Sequence, residues 1–394
     1  MSDARIPLSA PVIAGNEWAY VKECLDTGWV SSGGKYVTRF EDSVREITGA
    51  PYAVACQTGS AALHVALMLH GLGPGDAVIV PAVTFIATCN AVSYTGAAPV
   101  FVDCDDYLNI DPAAVASYLA EGCEAGPDGL VDRETGLRVR AIMPVHVFGT
   151  PCDMVAIADI AERNGLVVIE DAAESLGSRW TAGRYAGRHT GTVGAMGAFS
   201  FNGNKIVTCG GGGALITADE ELADRARHLT TQAKSDPVRF VHDEVGYNYR
   251  LTNVSAAMGV AQLEQLPGFI EAKRRSREQY AQGLSGARGL FVMGLPEGVE
   301  SNCWFHSVLI DPAEAGADRE TVMAHLLERG IESRPLWPPN NLQAPYRSAR
   351  AWRVERALWF HDRLLSVPCS SDLTESDVTR VCDAIREVCP GGRA

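Results

Sequence analysis

The 394-residue sequence predicts an α/β protein of two unequal parts, a large domain on a mainly parallel sheet followed by a smaller α+β domain. Three observations predict it. First, from about residue 50 to 220, short continuous apolar runs alternate with segments of helical period, as expected for strands covered on both faces by helices. Second, after about residue 290 the pattern changes to a mixture of alternating and helical stretches. Third, domains usually run ~100–200 residues, so one small core cannot organise a chain of this length.

The elements follow in order. A helix is expected over 60–71, with Leu63, Ala66 and Leu67 at helical spacing. A strand follows at 77–80, a helix at 87–94 and a strand at 100–102. Further strands are expected at 141–145 and 166–169, with an amphipathic helix over 154–163 between them. Around 198–201 and 213–216 the pattern shortens to strand, loop, strand. A long helical region spans 253–284, interrupted at Pro267. In the last part, 304–310 alternates, while 319–329 and 375–388 are helical. The expected division is 1–284 for the large domain and 285–394 for the small one.

Bulk properties exclude several classes. Hydrophobic residues make up 46% and charged residues 21%, the balance of a globular protein. A net charge of -14 argues against nucleic acid, because phosphate binding needs clustered Lys and Arg. No apolar run approaches the ~18 residues of a membrane span. Residues 1–7 show neither a basic nor an apolar stretch, so no signal peptide is expected. The 11 cysteines are scattered, with no C-x-x-C pair. That pattern predicts neither a disulfide framework nor a metal site, and reduced buried thiols in the cytoplasm are the expectation.

Four motifs carry the chemistry. Glu170-Asp171-Ala172-Ala173-Glu174 follows the strand at 166–169, and ligands of open α/β sheets bind beyond the carboxyl ends of strands. Ser200-Phe201-Asn202-Gly203-Asn204-Lys205, with Gly210 to Gly213 behind it, sets a lysine in a loop of small residues that admits a ligand close to the backbone. Thr58-Gly59-Ser60-Ala61 opens a helix, whose free N–H groups suit an anion. Thr84-Phe85 ends a strand with an aromatic ring able to stack on a flat cofactor. Each has a plain alternative: a loop charge, a surface lysine, a helix cap, a core phenylalanine. Together they supply a phosphate cradle, a stacking ring, a carboxylate for a ring nitrogen and a lysine for an aldehyde, which is the inventory required by pyridoxal 5'-phosphate (PLP). A nicotinamide reading of Gly191, Gly194 and Gly197 needs a strand before the glycines and a helix after them, and the sequence offers no clear helix there.

The order of these motifs resembles the sugar aminotransferases of the DegT/StrS type, a branch of the fold-type I PLP enzymes. The resemblance extends to residues 28–37, to Gly246-Tyr247-Asn248-Tyr249-Arg250-Leu251-Thr252-Asn253 and to Arg334-Pro335-Leu336-Trp337. The string at 200–205 looks closest to the branch that aminates UDP-linked 4-keto-6-deoxy sugars in legionaminic-acid or bacillosamine pathways. The resemblance implies a large, mostly parallel seven-stranded sheet domain, with residues 1–45 contributing to the active site. It implies Lys205 as the catalytic Schiff-base lysine and Asp171 as the partner of the pyridine nitrogen. Glu174 and Phe85 would lie at the ring, and Gly59, Ser60, Ala61 and Ser200 would hold the phosphate. Asn248 would reach the PLP of a second subunit, making a homodimer with shared active sites. Trp29, Ser31, Lys35, His306 and Arg334 would face the substrates, an amino donor (glutamate expected) and a keto-sugar acceptor. Relatives that dehydrate sugars carry His at the lysine position, where this chain has Lys205. Relatives also carry a His after the Arg-Pro-Leu-Trp motif, where this chain has Asn340-Asn341. Were those positions to touch the sugar, a non-nucleotide ketone such as a cyclitol would become the alternative acceptor.

Overall fold

The computed structural model describes residues 5–236 and 238–389. Residues 1–4, part of the stretch read for a signal peptide, and residues 390–394, the end of the expected small domain, lie outside the described residues. Seven strands form the body of the main sheet: β1 (Tyr52–Cys56), β2 (Asp76–Pro81), β3 (Ala98–Val102), β4 (Arg138–Ile142), β5 (Val167–Asp171), β6 (Met196–Ser200) and β7 (Gly213–Thr217). Their order is β1-β7-β6-β5-β4-β2-β3, and β7 alone runs antiparallel to its neighbours. Three short strands extend it to ten: a hairpin, Cys123–Gly126 with Gly129–Asp132, beside β4, and Ala351–Trp352 on the edge of β3. The hairpin and the late edge strand add to the seven-stranded expectation without changing its centre.

The continuous apolar runs have a direct cause. In β2, Val78 and Val80 enter one core cluster while Ala77 and Ile79 enter another. Alternate side chains point to opposite faces of a strand, so both faces here are buried and every position must be apolar. Helices α1 (Glu17–Thr27), α2 (Lys35–Thr48), α3 (Gly59–Leu69), α4 (Ala87–Tyr94), α5 (Met154–Asn164) and α6 (Glu220–Thr230) belong to this part. The long helical region is two helices, α7 (Asn253–Leu263) and α8 (Leu266–Gly283), with Pro267 in the first turn of the second, where its missing N–H has no partner to lose.

The second sheet is antiparallel, in the order β8 (Leu290–Val292), β9 (His306–Ile310), β11 (Leu364–Val367), β10 (Arg334–Pro335). Helices α9 (Arg319–Glu328) and α10 (Glu375–Val388) pack against it around a third apolar cluster. The chain passes between the two sheets more than once: Ile6 pairs with Ile331, and residues 337–352 return to the edge of the main sheet. No helix among the described residues is long and apolar enough to cross a membrane. All eleven cysteines are unpaired and buried.

Candidate active site

A cavity of about 470 Å³ opens beyond the carboxyl ends of the parallel strands. Five strands deliver residues to it: Gly59 and Ser60 after β1, Thr84, Phe85 and Thr88 after β2, Val145 and Phe148 after β4, Asp171 and Glu174 at the end of β5, and Ser200, Asn202, Asn204 and Lys205 at the end of β6. The second sheet closes it with Trp304, Phe305, Arg334 and Trp337.

The phosphate end is set by glycines. A Cβ on Gly213 would lie 2.3 Å from the Thr58 carbonyl oxygen and 2.7 Å from the Gly59 nitrogen. A Cβ on Gly59 would lie 2.8 Å from that of Ser200. These contacts leave no room for a side chain, so only glycine lets the turn before α3 approach β7 and β6 this closely. Thr58 caps α3, its Oγ1 accepting the Ala61 N–H at 3.0 Å and its carbonyl the Ala62 N–H at 3.1 Å. The N–H groups of Gly59 and Ser60 make no hydrogen bond among the described residues, and both residues line the cavity. They are free to meet an anion at the positive end of the helix.

Asp171 closes β5 and is almost fully buried. Its Oδ2 accepts the Thr88 hydroxyl at 2.7 Å and its Oδ1 the Ala173 N–H at 3.1 Å. Burial pushes its pKa up, against the opposing pull of these bonds and of the Lys205 charge. Such a carboxylate is stabilised by a cationic neighbour. Glu174 is also buried and raised, its Oε2 accepting the Phe148 N–H at 2.8 Å and its Oε1 lying 3.4 Å from Lys205 Nζ. Lys205 is only 11% exposed at its side chain, and its Nζ stands 3.9 Å from the centre of the Trp304 ring. Phe85, by contrast, is 53% exposed at the cavity wall, its ring 6.1 Å from that of Trp337. A buried carboxylate, a lysine, a free N–H pair and an accessible ring are the donor set PLP requires, and they line one cavity.

Behind β5, Glu170 serves a different purpose. It accepts the N–H groups of Gly191, Val193 and Gly194 and lies 2.9 Å from His146 Nε2. Burial pushes its pKa up, but these bonds outweigh it and hold the carboxyl below its ordinary range. Gly191 and Gly194 therefore bind a carboxylate, and the segment leads into strand β6, which contains Gly197, rather than into a helix, which removes the nicotinamide context.

The remaining expected site residues, for substrate and for cofactor, separate into four groups. Arg334 lines the cavity and has no carboxylate partner among the described residues. Trp29, Ser31, Lys35 and Asn248 lie outside this chain's cavity: Trp29 is 63% exposed, Ser31 is exposed, Lys35 pairs with Glu23, and Asn248 bridges to Thr231. Ala61 supports the α3 turn without lining the cavity. His306 must be corrected. It sits in β9 facing α8, its Nε2 2.8 Å from Ser276 Oγ and its ring against Tyr280, buried and outside the cavity. The side chains of Trp304 and Phe305, just before the strand, reach the cavity instead.

Asn340 and Asn341 do not line the cavity either. The Asn340 amide donates to the carbonyls of Thr84 at 2.8 Å and Ala82 at 3.3 Å, which straps the segment to the loop carrying Phe85. Thr88, Phe148, Trp304 and Trp337 were not singled out as site residues in the sequence. Trp337 stands in the 334–337 motif as an aromatic without a role, and Trp304 only opens the alternating stretch 304–310.

The comparisons agree with this geometry. GDP-perosamine synthase of Caulobacter vibrioides is 38% identical over 98% of this chain and 100% of its own length. The aminotransferase TlmJ from Streptoalloteichus hindustanus superposes with a TM-score of 0.87 at 30% identity, over 98% of this chain and 99% of its own. DesI, solved in the presence of its TDP-sugar product, gives 0.87 at 29%, over 99% and 94%. The family model described as DegT/DnrJ/EryC1/StrS aminotransferase matches residues 11–386. The chain is a sugar-type transaminase and belongs to the DegT/DnrJ/EryC1/StrS aminotransferase family, whose aminotransferases depend on PLP.

Proposed function

We propose that this enzyme moves an amino group from L-glutamate to a nucleotide-linked 4-keto-6-deoxy sugar, using PLP, in a homodimer whose subunits complete each other's sites. The observation that carries the reading is Lys205, its amine standing in the cavity between the Glu174 carboxylate at 3.4 Å and the Trp304 ring at 3.9 Å. Bound PLP supplies an aldehyde that takes up amines covalently and a ring that accepts the electron pair left when a substrate carbon loses its proton.

The residues' parts follow from their chemistry. Asp171, disfavoured as a buried anion, is relieved by a protonated pyridine nitrogen and so keeps that proton in place. The N–H groups of Gly59 and Ser60, with Ser200, bind the phosphate, and Phe85 covers the ring. Lys205 serves first as tether. Once its amine is free, Nζ carries the proton between the substrate carbon and the cofactor. Glu174 holds that amine near the reacting atoms. The donor departs as its 2-oxo acid and the ketone as an amine, so neither oxidant nor reductant is consumed.

The relatives named GDP-perosamine synthase, at 38% and 37% identity, favour a GDP-linked acceptor over a UDP-linked one. Arg334 at the cavity wall suits a phosphate or carboxylate. The reading assigns Trp29, Ser31, Lys35 and Asn248 to the neighbouring subunit's site. The PLP-loaded enzyme is expected to show a visible absorption band that bleaches on adding glutamate and returns on adding a GDP-linked 4-keto sugar. UDP- and dTDP-linked sugars and cyclitol ketones serve as comparisons. Lys205→Ala is expected to abolish both changes. A band indifferent to every amino acid, or full turnover by Lys205→Ala, overturns the reading.

A further inference from the structure

The reacting amine is held from outside its own domain. Trp304 precedes β9 of the small sheet and is 2% exposed, yet it touches the lysine loop twice. Its indole Nε1–H donates to the Asn204 carbonyl at 2.8 Å, and its ring centre lies 3.9 Å from Lys205 Nζ. Its backbone is itself fixed at both ends. The Trp304 N–H donates to Asn302 Oδ1 at 3.0 Å, and the Trp304 carbonyl accepts Lys273 Nζ at 3.1 Å. Lys273 is buried on α8 with no carboxylate partner among the described residues, and its second bond runs to the Cys369 carbonyl. Burial pushes its pKa down. A buried cation without a counter-charge is unfavourable unless backbone carbonyls satisfy it, and here it is spent on the carbonyl of the tryptophan. Asn302 also donates to the carbonyls of Glu174 and Leu176, each at 2.9 Å. One short segment thus grips both Asn204, the chain neighbour of Lys205, and Glu174, whose carboxylate lies 3.4 Å from the Lys205 amine.

We propose that Trp304 is a positioning residue for Lys205: it pins the lysine loop through the Asn204 carbonyl, and its ring face receives the amine whenever that amine is unattached. This rests on Lys205 being the reacting amine. A tryptophan that merely filled core volume would need neither contact.

Two variants separate the parts. Trp304→Phe keeps an aromatic face and loses the N–H, whereas Trp304→Leu loses both. In cofactor-free protein, hydrogen–deuterium exchange of the 201–209 amides is expected to quicken about threefold to tenfold in both variants, as losing one hydrogen bond implies. In loaded enzyme, Trp304→Leu is expected to lower kcat about 30-fold, as losing a desolvated cation–π contact implies, with KM for the amino donor within about twofold. Trp304→Phe is expected to restore most of kcat while its exchange stays fast, and so decides the matter even where the leucine variant does not fold. Unchanged exchange over 201–209 overturns the pin, and equal kcat in the two variants overturns the role of the ring face. Borohydride trapping of PLP on a residue other than Lys205 sinks the functional reading and the role at the amine together. The exchange result is independent of cofactor, so the two failures can be told apart.

Discussion

The part of the site built by the sheet and the part carried by the N-terminal segment differ in almost every physical respect. Asp171, Glu174, Thr88 and Lys205 are enclosed, and each has a named partner within the chain. Trp29, Ser31 and Lys35 lie on the surface beside α2, away from the cavity, and Asn248 bridges to Thr231 at the end of α6. Large apolar side chains nearby in sequence are also open to solvent, among them Trp18, Phe240 and Val245. The contrast teaches that one chain suffices to organise the proton chemistry, which needs low dielectric and fixed dipoles. Trp29, Ser31 and Lys35 do not reach that cavity within the same chain.

The most severe break of this comparison removes one charge from the enclosed part. Asp171→Asn keeps the size of the side chain and lets Thr88 remain in place, but it cannot hold a proton on a ring nitrogen. Turnover is expected to fall about 10³-fold, in the range of losing a preorganised electrostatic contact. Stability of the cofactor-free protein should not fall, because burial already disfavours this carboxylate. The pH dependence carries the same signature. Asp171 and Glu174 both have folded pKa values raised by burial, so the folded state holds protons that the unfolded state has released. Their contribution is fully present below the unfolded values and is lost as pH rises through the folded ones. Denaturant unfolding of cofactor-free Asp171→Asn should therefore decline less with pH over that window. Activity within tenfold of the parent would remove Asp171 from its assigned place.

A second group in the enclosed part titrates with the opposite sign. His189 is buried, its Nδ1–H donating to the Thr190 carbonyl and its Nε2 accepting the Gly177 N–H, each at 2.6 Å. Both nitrogens are thus occupied in the neutral ring, and protonation would break the Gly177 bond. Burial lowers its pKa from 6.5 to about 4. Between those values the unfolded chain binds the extra proton and the folded one does not, so stability rises with pH across that window and is complete above it. The displacement corresponds to about 3 kcal/mol at most. Unfolding free energies of the parent and His189→Gln, measured across pH 4 to 6.5, should show a flatter slope in the variant. Glu170, whose carboxyl is held below its ordinary range, loses its contribution only at lower pH, so the two can be separated. Identical slopes would place the acid sensitivity elsewhere.

The sequence made the enclosed part legible and the exposed part legible only by resemblance, for physical reasons. Continuous burial wrote β2 and β5 into the chain as apolar runs, and α4 and α10 fell where their periods placed them. β1 is as long as β5, but Ala53, Val54, Ala55 and Cys56 include a single β-branched residue and mark a strand only weakly. Helices α1, α2 and α6 were not singled out although their residues carry helical period. Lys205 and Asp171 were legible because few residue types can do their chemistry. The Thr88–Asp171 bond spans 83 positions, and Trp304 meets Lys205 from beside the second sheet, so neither pairing leaves a local signal. His306 shows the limit at single-residue scale. Successive strand residues face opposite ways, so being one position from the cavity-lining Phe305 puts it against α8. At Asn340, where the resemblance raised the expectation of a His, the amide serves the backbone of the Phe85 loop.

The exposed part can be sharpened by complementation, where the expected change is a factor of only a few. If Asn248 acts across subunits, a site needs Lys205 from one chain and Asn248 from the other. Lys205→Ala and Asn248→Ala homodimers then each lack one component at every site, and both should be weak or inactive. Unfolded together and refolded at equal concentration, half the dimers are mixed. Each mixed dimer has one site with both residues intact, provided by the lysine of the Asn248→Ala chain and the asparagine of the Lys205→Ala chain. Random pairing thus restores about a quarter of parental activity, since one in four sites is whole in a two-fold symmetric dimer. Were Asn248 to serve its own chain's cavity instead, the only lysine-bearing site of the mixed dimer would still lack its asparagine, and mixing would add nothing beyond the average of the parents. The same preparation tests Lys35 and Trp29 by substitution on either chain. A residue of the exposed part must impair the mixed dimer when changed on the Lys205→Ala chain, and leave it unaffected when changed on the chain that carries the working lysine.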